Sequence, residues 1–245
     1  MNDRKTVLIT GGSRGLGRAC ALKFAKLNYN IIINYNNSYE EALNLKKYIL
    51  ENYSVFVLLV KADISNEQEV INMIDVIKNN YEKVDCLINN AGIAIDTLFE
   101  DKTVQNFRKI IDVNLIGTFL VSKYIGSLML KEKSGTIINV SSTNAIDTYY
   151  PYSLDYDASK AGVISLTHNL ARQFAPYIRV NCVAPGWINT EMNKELAGEF
   201  IEEENKKILL ERFSEPYEIA NVIAFLASDE ASYINGSVIR VDGGY

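Results

Sequence analysis

The sequence has few cysteines and histidines, no run of basic residues and no long hydrophobic run. Its three cysteines, Cys20, Cys86 and Cys182, are far apart without Cys-x-x-Cys spacing, which argues against a disulfide framework or a zinc site. The net charge of −5 and the scattered Lys and Arg argue against a dedicated nucleic-acid binder. The N-terminal MNDRKTVLIT is too weakly apolar for a signal peptide or a membrane span. We therefore expect a cytoplasmic protein that binds neither nucleic acid nor a membrane.

Short apolar runs alternate with longer amphipathic stretches along the whole chain. The short runs predict buried strands: TVLIT, NIIIN, VFVLLV, DCLINN, TIINV, IRVNCVA and SVIRV. Segments such as EEALNLKKYILENY lie between them and predict helices. This alternation predicts an α/β fold of the Rossmann type, a doubly wound, seven-stranded parallel sheet with helices on both faces. No linker or repeat divides the chain, so we expect a single domain over residues 1–245.

The first predicted strand runs into the glycine-rich segment TGGSRGLG and then into a helix. Glycines allow a tight turn and a close backbone approach, and a helix N-terminus offers free N–H groups to a pyrophosphate. The spacing differs from the G-x-G-x-x-G pattern, and such a turn could also serve only for packing. Its position after the first strand favours a dinucleotide cofactor. The predicted contacts in this loop are Thr10, Gly11, Ser13, Arg14, Gly15, Leu16 and Gly17.

The end of the second predicted strand indicates which nicotinamide cofactor is used. An acidic residue there would bind a ribose 2′-hydroxyl, but the segment INYNN at 33–37 has none. Arg14 in the glycine loop is a cation that could meet a 2′-phosphate, with Asn37 as a further contact. The alternative for Arg14 is a solvated surface charge. These features predict NADP(H) rather than NAD(H).

The segment YDASKAG carries Tyr156 and Lys160, which are four residues apart. On a helix they share one face, and a nearby cation lowers the pKa of a phenol from its reference value of about 10. Such a tyrosine could pass a proton to or from a substrate oxygen. Alone, the pair could be incidental on a surface helix.

These motifs together resemble those of the short-chain dehydrogenase/reductases, over essentially all 245 residues. The resemblance comprises the glycine loop, Asp63, NNAG at 89–92, DVNL with Asn114, the serine pair at 141–142, Tyr156-x-x-x-Lys160, PGWINTEM from Pro185 and the closing VDGG. Eight motifs in family order make the incidental interpretation of Tyr156 and Lys160 untenable.

The resemblance implies four catalytic residues and no metal. Tyr156 would protonate the carbonyl oxygen, Lys160 would lower the pKa of Tyr156 and hold the nicotinamide ribose, and Asn114 would hold a water. Ser142, rather than Ser141, would polarise the carbonyl. The remaining implied cofactor contacts are Asp63, Ile64, Asn90, Ala91, Gly92, Pro185, Gly186, Ile188 and Thr190. The sole histidine, His168, has no assigned role.

The resemblance also implies a substrate lid at about 191–212 and a homotetramer. The C-terminal segment and VDCLINNAGI are similar to those of bacterial 3-oxoacyl-[acyl-carrier-protein] reductases, which implies a 3-oxoacyl thioester as substrate and acyl carrier protein as a partner docking near Lys131 and Lys133. A sugar, polyol or nucleotide-sugar substrate is the alternative, and a cofactor-binding sensor without turnover is a third. Asp155, beside Tyr156, would place a carboxylate near the entrance and repel an anionic carrier.

Overall fold

The computed structural model describes residues 4–148, 150–193 and 196–245 and contains a seven-stranded sheet. The strands are β1 (Thr6–Ile9), β2 (Asn30–Tyr35), β3 (Val57–Lys61), β4 (Cys86–Asn89), β5 (Gly135–Val140), β6 (Ile178–Pro185) and β7 (Val238–Val241). Their order is β3-β2-β1-β4-β5-β6-β7, and all neighbours pair in parallel. The predicted doubly wound parallel sheet is confirmed.

The described residues contain eight α-helices, six of which pack against the two faces of the sheet. The eight helices are α1 (Gly15–Lys26), α2 (Tyr39–Asn52), α3 (Glu67–Asn80), α4 (Val104–Ile111), α5 (Gly117–Glu132), α6 (Leu154–Phe174), α7 (Gly198–Lys207) and α8 (Pro216–Ala227). Local sequence explains several helix starts: the Asn66 side chain accepts from the backbone N–H groups of Gln68 and Glu69 at the start of α3, and Pro216 opens α8.

The strands are mostly apolar because both faces of the sheet are covered. One core lies between the sheet and α1, α2 and α8, and includes Ile9 and Phe24. The other lies between the sheet and α3, α5 and α6, and includes Leu8 and Val121. The adjacent residues Leu8 and Ile9 belong to opposite cores, as alternation along a strand requires.

A π-helical turn, Asp112–Ile116, joins α4 to α5 into one continuous helix, Val104–Glu132. By length and composition this helix could cross a membrane, but half of its most apolar window is buried inside the fold. Val121 and Ile125 on α5 are fully buried in the core below the sheet. The apolar character of this helix is therefore explained by packing.

The carboxyl ends of the strands all lie at one edge of the sheet. Thr10 follows β1, Asn90 follows β4, Ser141 follows β5 and Gly186 follows β6. The chain reverses its winding direction between β1 and β4, where a crevice for ligands forms in folds of this type. Of the segment predicted as a lid, Glu191–Asn193 is a 3-10 turn, α7 covers much of the remainder, and residues 194 and 195 lie outside the described residues.

Candidate active site

Three positions of the turn between β1 and α1 favour or require glycine. Gly11 and Gly15 have φ angles of +59° and +52°, in the left-handed region that favours glycine. A Cβ on Gly17 would lie 2.2 Å from the Gly11 carbonyl oxygen. Asn90 closes the turn, since its Nδ2 donates to the carbonyls of Thr10 at 3.0 Å and Gly11 at 3.1 Å. The result is a compact cradle of backbone at the end of the sheet.

The Thr10 hydroxyl fixes the ends of β1 and β4 to each other. It accepts hydrogen bonds from the backbone N–H groups of Asn90 at 3.0 Å and Ala91 at 3.1 Å, and donates to the Ile88 carbonyl at 3.4 Å. The NNAG motif is thereby held against the glycine turn. Asn89, one residue earlier, is buried and donates to Ser122 Oγ and Asn139 Oδ1, so it braces the sheet.

Helix α1 begins at Gly15 without a side-chain cap, so its first N–H groups are available to a ligand. Thr190, from the segment after β6, lies beside this turn, 3.6 Å from a Cβ built on Gly15. Leu16 is buried in the core and anchors the helix start. The predicted pyrophosphate contacts therefore surround one helix N-terminus, which fits a dinucleotide.

At the end of β2, polar groups without negative charge lie near the glycine turn. The hydroxyls of Ser13 and Ser38 are 2.6 Å apart, while Arg14 and Asn37 are exposed. Within the described part of the chain, the Arg14 guanidinium has no hydrogen bond or ion pair. These groups suit an anionic substituent on the adenosine ribose.

Asp63 and Ile64 follow β3 on the adenine side of the predicted groove. The Asp63 carboxylate accepts hydrogen bonds from the N–H of Ser65 at 2.9 Å and its hydroxyl at 2.6 Å. Ile64 is buried, and its side chain would lie 2.7 Å from a Cβ on Gly117. Local contacts thus fix both residues where the family resemblance places adenine.

Ser142 and Tyr156 meet at the end of β5, where the Ser142 hydroxyl is hydrogen-bonded to the Tyr156 phenol. Tyr156 lies in the first turn of α6. The neighbouring Ser141 instead donates to the Lys160 carbonyl at 2.8 Å. The geometry thus separates a serine at the phenol from one that anchors α6.

Lys160 lies beside the Tyr156 ring, with Nζ 5.6 Å from the ring centroid and 2.9 Å from the Val140 carbonyl that it bonds. Burial lowers the pKa of Lys160 to about 8. Burial also raises the pKa of Tyr156 to about 12, while the Ser142 hydrogen bond opposes that rise. Desolvation is the largest cause of the shift, and the lowering of the Tyr156 pKa by Lys160 stays a prediction.

Asn114 lies in the π-helical turn and is fully buried. Its Oδ1 accepts from the Ile93 N–H at 2.8 Å, and its Nδ2 donates to the Ile93 carbonyl and to Ser159 Oγ, both at 3.0 Å. A Cβ on Gly92 would lie 3.3 Å from both Asn114 Oδ1 and Lys160 Nζ. Gly92, Asn114 and Lys160 therefore lie close together, with Lys160 beside the Tyr156 ring. The predicted water-binding role of Asn114 remains a prediction.

The segment after β6 forms the other wall of the groove. Pro185 ends β6, and a Cβ on Gly186 would lie 2.9 Å from Asp242 Cβ, so only glycine fits there. The Ile188 carbonyl accepts from the Thr190 N–H at 2.9 Å and from Asn193 Nδ2 at 2.8 Å. These bonds hold the predicted nicotinamide contacts in a fixed turn.

An aromatic cluster that the sequence did not predict as a unit lies beside this turn. Trp187 stacks on Phe213 at 5.4 Å between ring centroids and meets Phe200 of α7 and Tyr150 edge-on at 5.5 and 5.7 Å. Glu204 of α7 accepts from Trp187 Nε1 at 3.0 Å, and it is also bonded to Lys207 and the Tyr245 phenol. Hydrogen bonds from these three donors outweigh burial and lower the pKa of Glu204. Helix α7 is thus attached to the site by an apolar wall and a buried carboxylate.

The carboxylates near Tyr156 are not where the sequence suggested. Asp155 is fully buried and paired with Lys102 at 2.9 Å, so its expected placement at the entrance is wrong. Asp96, in the segment after β4, is exposed instead. It accepts a hydrogen bond from the Tyr150 phenol, its pKa is raised by desolvation, and its charge acts on Tyr156. No motif in the sequence marked Asp96, Lys102 or Tyr150.

Comparisons with known proteins cover nearly the whole chain. A family model described as Enoyl-(Acyl carrier protein) reductase matches residues 11–245. The 3-oxoacyl-[acyl-carrier-protein] reductase FabG of Staphylococcus aureus is 40% identical over 246 residues, covering 100% of this chain and 99% of that protein. The crystal structure of levodione reductase is similar with a TM-score of 0.93 and 35% identity, covering 98% of this chain and 96% of that one. A 3-oxoacyl-[acyl-carrier protein] reductase from Brucella melitensis is similar with a TM-score of 0.92 and 31% identity, covering 98% and 90%.

Proposed function

Because this chain belongs to the short-chain dehydrogenase/reductase family and is an oxidoreductase acting on CH–OH/C=O groups with a nicotinamide cofactor, we propose a specific reaction for it. The enzyme uses NADPH to reduce the 3-oxo group of an acyl chain on acyl carrier protein, giving the 3-hydroxyacyl product in fatty-acid synthesis. The observation that carries this proposal is the 40% identity, over the full length, to a reductase named for that reaction.

The choice of NADP(H) rests on the end of β2. A 2′-phosphate carries negative charge, and Arg14 is an exposed cation at the start of α1. Asn34, buried near the end of β2, donates its side-chain amide to the carbonyls of Val60 and Ala62. Because this side chain is an amide and not a carboxylate, it does not repel the phosphate. The Ser13–Ser38 pair adds hydroxyl donors. These groups support NADPH over NADH.

The proposed catalytic residues move one proton while the bound nicotinamide supplies the hydride to the carbonyl carbon. Tyr156 gives its phenolic proton to the carbonyl oxygen, and Ser142 hydrogen-bonds the same oxygen. Since burial raises the pKa of Tyr156 to about 12, the phenol holds its proton at neutral pH and can act as an acid. Lys160, which lies beside the Tyr156 ring, returns a proton to the phenol, and a water held by Asn114 resupplies Lys160.

We place the substrate under α7, which acts as the lid within 191–212. Tyr150, Trp187 and Phe200 form an apolar wall there, which suits an acyl chain. One observation favours the second candidate, a sugar or polyol substrate. Asp96 and the Tyr150 hydroxyl lie close to Tyr156 and could bind substrate hydroxyls.

The carrier would dock at the end of α5, at the edge of the sheet where β5 begins and opposite the edge that carries Tyr156, so it would serve the active site of another subunit of the proposed assembly. Lys131 and Lys133 are exposed there, and Lys133 Nζ lies 5.7 Å from the centroid of the Tyr177 ring. An acidic carrier is attracted to such cations over long range. Lys78 and Lys83 lie on the same surface as Lys131, but since the chain carries a net charge of −5, we expect the attraction to be modest.

We further propose that the enzyme is a cytoplasmic homotetramer. Large apolar side chains are exposed along α4, α5 and the start of α6, among them Val104 at 61%, Phe119 at 41% and Leu154 at 50%. A surface of this kind marks a contact between proteins. The three cysteines are free and buried, which agrees with a reducing compartment.

The substrate proposal is tested by comparing kcat/KM for acetoacetyl groups on carrier protein and on a small neutral thiol, at low salt and at about 0.3 M salt. Screening at that salt shortens the Debye length to roughly 5 to 6 Å. We expect a carrier advantage that falls with salt and is lost in the Lys131→Glu, Lys133→Glu double variant. Turnover of a keto-sugar without turnover of either thioester would replace the acyl substrate by the second candidate.

A further inference from the structure

One buried ammonium group ties together the segments that surround Tyr156. The Nζ of Lys102 donates to Asp155 Oδ1 at 2.9 Å, to the Tyr152 carbonyl at 2.8 Å and to the Ile95 carbonyl at 3.1 Å. Ile95 lies in the segment after β4, Tyr152 in the loop after β5, and Asp155 in the first turn of α6. Three separate parts of the active-site wall therefore meet at one lysine.

The Lys102–Asp155 pair is buried, with side chains 5% and 0% exposed. The Lys78–Asp75 pair on α3, by contrast, has side chains 52% and 60% exposed. Removing two charges from water is costly, so a buried pair is weak evidence for a role in stability. Within the described part of the chain, the second carboxylate oxygen of Asp155 is buried without a hydrogen-bond partner. The position of the pair beside Tyr156 gives a reason for it that stability does not.

Asp155 connects the lysine directly to Tyr156. Its Oδ1 accepts from the Tyr156 backbone N–H at 3.0 Å. That N–H lies in the first turn of α6, where the helix itself provides no acceptor. The helix dipole at this end also favours a negative charge. The backbone of Tyr156 is thus held by a carboxylate that Lys102 holds in turn.

Charged groups approach Tyr156 from every element around it. They are Asp96 after β4, with Tyr150 bonded to it, Asp157 and Lys160 on α6, and the Lys102–Asp155 pair. The charges of Asp157 and Asp96 both raise the pKa of Tyr156, and Lys102 lowers the pKa of each of these two carboxyls. Lys102 is therefore the cation that faces the carboxylates around the phenol.

We propose that Lys102 is a positioning residue for proton transfer by Tyr156, acting through Asp155, and that it fixes the loop between β5 and α6 through Tyr152. This inference rests on the proposed function of Tyr156 as the acid. The charge of Lys102 favours phenolate and the charge of Asp155 disfavours it. Removing the charge of Lys102 should therefore raise the pKa of Tyr156, and removing the charge of Asp155 should lower it. A purely structural role does not require these opposite shifts.

The test uses Lys102→Met, Asp155→Asn and the double variant, with Lys78→Met as the matched surface control. We measure kcat for reduction of an acetoacetyl thioester of a small thiol at saturating NADPH from about pH 6 to about pH 12, which reaches the pKa of about 12 of Tyr156, and thermal unfolding alongside. The apparent pKa of the fall in kcat at high pH, the alkaline limb, should rise by about half a pH unit or more in Lys102→Met. It should fall by a similar amount in Asp155→Asn. At pH 7, kcat should fall about tenfold in both, because the phenol is no longer held in place.

The double variant provides a test that does not depend on either single variant folding, since it leaves no unpaired buried charge. Its alkaline limb should stay within about 0.2 pH units of wild type while kcat still falls about tenfold. Limbs that move in the same direction in both single variants, or a double variant with wild-type kcat, would overturn the inference. Failure of the proposed function is a separate result: full activity in Tyr156→Phe, or no thioester turnover by the wild type.

Discussion

Replacing Gly17 by alanine would put a methyl group inside the turn between β1 and α1. The new Cβ would lie 2.2 Å from the Gly11 carbonyl oxygen, 2.7 Å from Asn90 Nδ2 and 2.9 Å from Gly12 Cα. Two of these three neighbours are backbone, so the turn must open. Overpacking of this kind costs about 1–3 kcal/mol. For a chain of this size, that corresponds to a fall in Tm of about 2–12 °C.

The same movement should weaken cofactor binding. Asn90 Nδ2 also bonds the Thr10 and Gly11 carbonyls, so displacing it disturbs the cradle proposed to hold the pyrophosphate. We expect the Kd for NADPH to rise at least about tenfold, equivalent to about 1.4 kcal/mol. Thermal unfolding with and without NADPH reports both effects, because a ligand that binds the folded state raises Tm.

Gly198→Ala is the matched control, since a Cβ at Gly198 meets nothing within 4 Å. Gly198 begins α7, where alanine is the better helix former, so its Tm should not fall. A Gly17→Ala variant with the Tm and the NADPH-induced shift of wild type would refute the assignment of this turn.

Two further predictions concern charged residues of the groove. Arg14→Ala should lower kcat/KM for NADPH relative to NADH by about ten- to a hundredfold, because a charged hydrogen bond to the 2′-phosphate is lost. Lys26→Ala, at the other end of α1, should leave that ratio unchanged, and a wild type that prefers NADH would contradict the cofactor choice. For Lys160, burial lowers the pKa from 10.5 to about 8, so the unfolded chain binds more protons between these values and stability gains from this lysine as pH rises. Urea unfolding at several pH values from 7 to 10 should show that Lys160→Met loses this gain, and an identical pH dependence in both proteins would argue against a buried, destabilised ammonium.

Most of the fold could be predicted because its signals are local. The β-branched runs mark buried parallel strands, and the glycine spacing after β1 marks a turn that excludes side chains. Strand boundaries differ slightly from prediction: VFVLLV at 55–60 became Val57–Lys61. The π-helical turn at Asp112–Ile116 was not predicted, because one inserted residue leaves the apolar pattern of a helix nearly unchanged.

The sequence predicted only those site residues that belong to a recognisable motif. Ser142, Tyr156 and Lys160 lie together, and Ser141 takes the anchoring bond to the Lys160 carbonyl. The partner of Asp155 could not be predicted, because Lys102 is 53 residues away and burial depends on tertiary packing. The same holds for the pKa of Tyr156, where desolvation is the largest cause of the shift.

The central claim is that Tyr156 is the acid that protonates the substrate carbonyl on an intact cofactor site. The most direct measurement is single-turnover oxidation of NADPH by wild type and Tyr156→Phe with an acetoacetyl thioester, together with the Kd for NADPH of each protein. Phenylalanine keeps the ring and removes only the hydroxyl that Ser142 contacts. We predict a rate at least about 100-fold lower with an NADPH Kd within about threefold of wild type. A Tyr156→Phe rate within a few fold of wild type would contradict the account.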